Sequence, residues 1–235
     1  MQLLQWKNVI YRFINETFCF TRSLLLKTMS TILAKQLNTG HYNMNFKTLS
    51  LGLLAATLTT ISIAKPVPYQ IDPTHTATVF SWNHFGFSTP SANFRDIQGV
   101  INVDDEVPAN SSVNVTIPLS SLNTNVQALD EHLQTADFFD ATKYPTITFK
   151  STKVETKDKK KFKITGDLTI KGVTKPVVLD AVLNKQAVHP MSKAETIGFN
   201  ATTSFDRSAF GVGAYIPNVG DKITVNITTE ASVKK

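Results

Sequence analysis

Apolar and polar side chains alternate with a period of two over much of the chain. Phe162, Ile164, Leu168 and Ile170 alternate with Lys161, Lys163, Thr165, Asp167, Thr169 and Lys171. Ile197, Phe199, Ala201 and Phe205 alternate with Gly198, Asn200, Thr202 and Ser204, and Ile223, Val225 and Ile227 with Thr224, Asn226 and Thr228. Successive side chains of a strand point to opposite faces, so each run predicts a strand with one apolar and one wet face. Weaker versions at 76–84, 94–103, 112–119, 146–154 and 176–184 bring the expected strands to eight. Many short strands separated by turn residues predict an all-β fold, an antiparallel barrel or sandwich, because closing the sheet removes its exposed edges.

One window departs from this pattern. At 124–136, Thr124 followed by Gln127 matches a capping box, and Val126, Leu129 and Leu133 fall on one helical face. The spacing predicts a short helix lying over one end of the sheet structure. The connection that follows carries Phe138, Phe139 and Tyr144, rings that need cover from the barrel mouth or from a ligand.

Residues 44–64, MNFKTLSLGLLAATLTTISIA, read as a secretory signal peptide: Lys47, then an uncharged stretch from Leu49 to Ile63, then Ser62-Ile63-Ala64 as a small-x-small cleavage site. The working domain is then expected at 65–235, exported to a bacterial periplasm. Residues 1–43 show no sustained period and read as a doubtful upstream extension.

The leader changes the charge. The full chain carries +6, but six of its 24 basic residues and one of its 18 acids precede Lys65, which leaves +1 on 65–235. A charge near zero removes the argument for a nucleic-acid partner. The single cysteine, Cys19, also lies upstream, so the exported part has neither thiol nor disulfide. Lys157, Lys159, Lys160, Lys161 and Lys163 cluster at one expected hairpin tip, a solvated edge or a site of transient contact with an anionic membrane surface.

Catalytic signatures are missing: there is no G-x-S-x-G, H-E-x-x-H or glycine-rich phosphate loop. His75, His84, His132 and His189 are scattered without metal-ligand spacing, so neither a metal nor a cofactor is expected. Asp104-Asp105-Glu106 lacks the spaced oxygens of a calcium loop and reads as a solvated loop. His84 shares strand parity with Phe80 and Trp82, which makes it a hydrogen-bonded core histidine or a polar contact for a ligand. Arg207 follows an apolar strand, where a buried guanidinium needs Asp206 or Asp140 as partner, or a ligand phosphate.

Several blocks in order resemble the YceI-like family of polyisoprenoid-binding proteins. They are Tyr69-Gln70-Ile71-Asp72 with His75-Thr76, Asp137-Phe138-Phe139-Asp140, Lys143-Tyr144-Pro145, the run Gly166 to Val177, Arg207-Ser208-Ala209-Phe210-Gly211 and Val219-Gly220-Asp221. One position departs from the family's pattern: Ala92 stands where a glycine usually precedes the phenylalanine of the second strand, here Phe94.

The resemblance implies an eight-stranded antiparallel lipocalin-like barrel with one short helix over one end. It further implies a non-catalytic periplasmic binding protein that sequesters or carries an isoprenoid or other fatty-chain amphiphile. The expected ligand contacts are Phe80, Trp82, His84, Phe94, Phe138, Phe139, Phe149, Phe199, Phe205, Arg207 and Phe210. A homodimer is also admitted. Two rival readings stay open: a small lipid hydrolase or isomerase using His84 with Asp140 or Asp206, and a filled barrel acting through its surface as an interaction or stress-protective module.

Overall fold

A computed structural model describes residues 65–234. The extension 1–43 and the signal 44–64 lie outside the described residues. Eleven antiparallel segments form eight staves of one closed barrel, three of the staves being broken by a bend. The first stave is β1 (Val67–Ile71) and β2 (Ala77–Ser81), joined through a 3-10 turn at Pro73–His75. The second is β3 (Ser91–Phe94) and β4 (Gln98–Val103); the third is β5 (Ser112–Pro118) and β6 (Leu122–Asn123) around a turn at Leu119–Ser121. Five unbroken staves follow: β7 (Thr146–Thr156), β8 (Lys161–Ile170), β9 (Val173–Val188), β10 (Glu195–Asp206) and β11 (Lys222–Val233). The ring closes where residues 231–233 of β11 pair with 69–71 of β1, and 224–228 pair with 77–81 of β2.

The eight expected strands are present in the expected order, with different ends. The first stave starts at Val67 rather than near residue 76 because its bend shifts the inward parity: Tyr69 and Ile71 are buried before it, Thr76 and Thr78 after it. The second stave shifts likewise, from Ala92 and Phe94 to Ile97 and Ile101. Ala92 sits opposite Phe80 in regular register, so the bend falls at residues 95–97 and not at this position. In β8, Gly166 has inward parity and lies against the Phe149 ring, which a methyl group there would overlap.

The helix α1 is shorter than expected and is capped differently. It spans Gln127–Leu133, and its N-cap is Val126, with no side-chain cap bond. Instead of a Thr124–Gln127 box, the Thr124 N–H donates to Asp130 Oδ1 at 2.7 Å, and the Gln127 amide donates to Glu131 at 2.9 Å. The reciprocal bond is made one helical turn later than the sequence suggests. Val126, outside the helix, is 55% exposed, while Leu129 and Leu133 face inward.

The two ends of the barrel differ. Tyr69, Ile71, Ile101, Ile197 and Ala231 pack into a buried cluster that closes the end away from α1. Burial and a hydrogen bond to Glu195 push the Tyr69 hydroxyl pKa up to about 12. The lysine-bearing hairpin between β7 and β8 belongs to this closed end. The connections 82–90, 124–145 and 207–221 gather at the other end.

Candidate ligand-binding site

The staves enclose a cavity of about 650 Å³. Along β11 its wall runs from Ile223 to Thr229, six residue steps, or about 20 Å of strand. Inward residues such as Phe80, Val115, Ile117, Leu168, Leu179 and Ile227 are only half-buried although they sit on the inner face. Their remaining surface faces this void. Phe80, Trp82, Phe149, Phe199 and Phe205 line it without filling it, which removes the basis of the filled-barrel reading.

All eleven expected contact residues, from Phe80 to Phe210, lie on the cavity wall. Their rings belong to clusters: Phe80 stacks on Phe94 at 5.4 Å between centroids, and Phe205 meets Phe210 edge-on at 5.2 Å. Polar lining is sparse. Thr76, Thr78, Thr203 and Thr229 lie along the wall, with the Thr76 and Thr229 hydroxyls hydrogen-bonded at 3.0 Å.

Among the lining residues only His84, Phe85 and Tyr215 are exposed, so the cavity reaches the surface between them. His84 is therefore a rim residue and not a core histidine. The regular strand ends at Ser81, and the tip beyond it projects past the wall while keeping inward parity. The His84 ring meets the Phe85 ring edge-on at 4.8 Å. Tyr215 packs against His132 of α1 and against Phe138. Leu129, His132, Phe85 and Tyr215, which are not among the contacts expected from sequence, complete the mouth. Two of them sit in loops without periodicity, where pattern gives no signal.

Arg207 is buried and pairs with neither Asp206 nor Asp140. Its Nε donates to the Gly220 carbonyl at 2.9 Å, Nη1 to Val212 at 2.6 Å, and Nη2 to Ala214 at 2.9 Å and Val219 at 2.8 Å. The loop 211–220 wraps round the guanidinium and satisfies it with main-chain oxygens, so one Nη1 proton remains and no open fork faces the cavity. Asp206 cannot serve, since it is exposed at the start of the β10–β11 ladder. Burial lowers the Arg207 pKa, opposed by the charge of Asp221. Burial raises the Asp221 pKa, but the Ser208 hydroxyl and amide, at 2.6 and 2.8 Å, outweigh it and hold that carboxylate below its usual range.

Among the described residues, no carboxylate hydrogen-bonds the His84 ring, and no cluster of side chains could hold a metal ion. His84 thus makes no direct hydrogen bond to Asp140 or Asp206, its partners in the hydrolase reading, although it lines the cavity. Asp104, expected in a solvated loop, is instead buried and accepts the N–H groups of Glu106 and Val107 and the Asn110 amide, bracing its turn.

A YceI-like domain matches residues 69–231. Protein YceI of Shigella flexneri is 37% identical over 188 residues, spanning 79% of this chain and 97% of that protein. The crystal structure of the Campylobacter jejuni YceI protein is 39% identical, with TM-score 0.59 over 65% of this chain and 90% of that one. A polyisoprenoid-binding domain from Saccharophagus degradans shares the fold, with TM-score 0.57 at 12% identity over 72% of this chain and 99% of that one. A barrel with this stave order, matched across nearly its whole described length, belongs to the YceI-like family.

Proposed function

We propose that the protein is an exported, non-catalytic carrier or store that holds the hydrocarbon chain of an isoprenoid or similar amphiphile inside the barrel. The observation that carries this is the cavity itself: apolar, open at one end and closed at the other by a packed cluster. Such a shape takes a chain end-on and leaves the head group at the mouth. A structural neighbour described as a polyisoprenoid-binding domain supports the ligand class, and residues 44–64 support export to the periplasm.

Energetics favour exchange over permanent capture. Each buried CH2 is worth about 0.8 kcal/mol against water, but a bilayer offers the same chain an equally apolar home. The net preference for the barrel is then small, and head-group contacts near His84, His132 and Tyr215 select the ligand. Native mass spectrometry of protein purified from a bacterial periplasm, followed by organic extraction, tests this reading. A bound long-chain lipid is expected; ligand-free protein that also binds no prenyl or acyl chain offered in vitro would sink it.

A further inference from the structure

The cavity mouth carries apolar surface that faces outward as well as inward. Phe85 is 52% exposed, Phe87 92%, Tyr215 58% and Ile216 37%. They come from two tips stitched together by main-chain bonds: Phe85 N–H to the Asn218 carbonyl and Gly220 N–H to the Asn83 carbonyl, both at 2.8 Å. Within the first tip, the Gly86 amide donates to Asn83 Oδ1 at 2.8 Å and the Phe87 amide to the His84 carbonyl at 3.0 Å, a tight turn that presents Phe87 to solvent. Phe87 and Ile216 do not line the cavity.

We propose that this aromatic lip docks into the interfacial layer of a neutral, zwitterionic lipid bilayer and sets the mouth against the membrane. The inference rests on the carrier reading and says how the ligand enters. A chain that crossed water between bilayer and barrel would lose the apolar environment that both ends of the transfer provide; a mouth seated in the bilayer removes that crossing. Aromatic side chains suit the layer where hydrocarbon meets head groups. Charge points to a neutral surface: at the mouth end the exposed Glu131, Asp137 and Asp206 are interspersed with the exposed Lys143 and Lys222, the last being the ladder partner of Asp206. No single-sign patch therefore surrounds the lip, whereas the lysine cluster at 157–161 belongs to the closed end.

The test is co-sedimentation of the purified protein, at low and high salt, with phosphatidylcholine vesicles and with vesicles that also contain an anionic phospholipid, comparing wild type with Phe87→Ser and measuring the oligomeric state of each. A parallel arm loads both proteins with a prenyl chain delivered in detergent. Wild type is expected to bind vesicles at both salt concentrations, and Phe87→Ser to bind about tenfold more weakly, while both load equally in detergent. Docking is overturned if wild type ignores phosphatidylcholine vesicles or if Phe87→Ser binds them as well as wild type does. It is equally overturned if binding needs anionic lipid and vanishes in salt, which would indict the lysine tip, or if Phe87→Ser only splits a dimer. Failure of wild type to load in detergent removes the carrier reading and leaves docking to be judged by the vesicles alone.

Discussion

Arg207 holds the loop that forms half the mouth, because four carbonyls of that loop have the guanidinium as their donor. Arg207→Ala is expected to cost on the order of 3 kcal/mol, since buried acceptors lose their partner and the loop must rearrange. Arg207→Lys, with a point charge in place of a planar fork, should recover part of it. Urea unfolding measures both. Affinities for phosphorylated and neutral chains should fall together in Arg207→Ala; a loss confined to phosphorylated chains would restore Arg207 as a head-group contact. At Gly166 the Phe149 ring occupies the space a side chain would take, so Gly166→Ala should destabilise the barrel by roughly 1–3 kcal/mol, read from the same unfolding curves. The apolar strand before Arg207 pointed to a guanidinium drawn partly out of water and in need of a partner, but not to which: carbonyls of a loop without periodicity leave no trace in side-chain pattern.

Among the elements, α1 begins without a side-chain cap, at Val126 in an extended conformation. Val126→Ser should therefore raise stability by about 1 kcal/mol, seen as a higher urea midpoint with unchanged slope. The bend between β1 and β2 offers a pH test. Asp72 accepts the Thr74 hydroxyl at 2.6 Å and meets His75 Nδ1 at 2.8 Å; these contacts lower its pKa to about 2, and Asp72 in turn raises that of His75. The lowered carboxylate contributes fully above about pH 4 and is lost as pH falls towards 2, whereas the raised imidazole contributes below about pH 6.5 and is lost above it. Both act together between those limits. In an NMR titration the His75 pKa should lie above 6.5 and return towards it in Asp72→Asn; an identical titration in both proteins would show that the pair does not form. These bends also displace the strand ends from those that alternation predicts. Where a stave bends, inward parity slips by one residue, and an alternation pattern read across the slip cancels itself.

For the whole molecule, alternation made the barrel legible: Ile197, Phe199, Ala201 and Phe205 face inward as their spacing requires, and eight staves close the sheet. Hollowness was not legible, because the same alternation serves a filled interior and an empty one. It depends on small wall residues such as Ala181 and Ala201, which face inward as ladder partners on neighbouring strands, and on the far-end cluster stopping short of the mouth. The central claim is that a hydrocarbon chain occupies this space. Trp82, the only tryptophan between residues 65 and 235, lies on the wall and reports on it directly. Titrating the protein with a brominated long-chain amphiphile should quench Trp82 fluorescence to saturation near one chain per barrel, and Ala201→Phe, which fills the cavity deep below the mouth, should weaken that quenching markedly. Quenching that never saturates, or that the deep substitution leaves unchanged, would contradict the account by placing the chain outside the barrel.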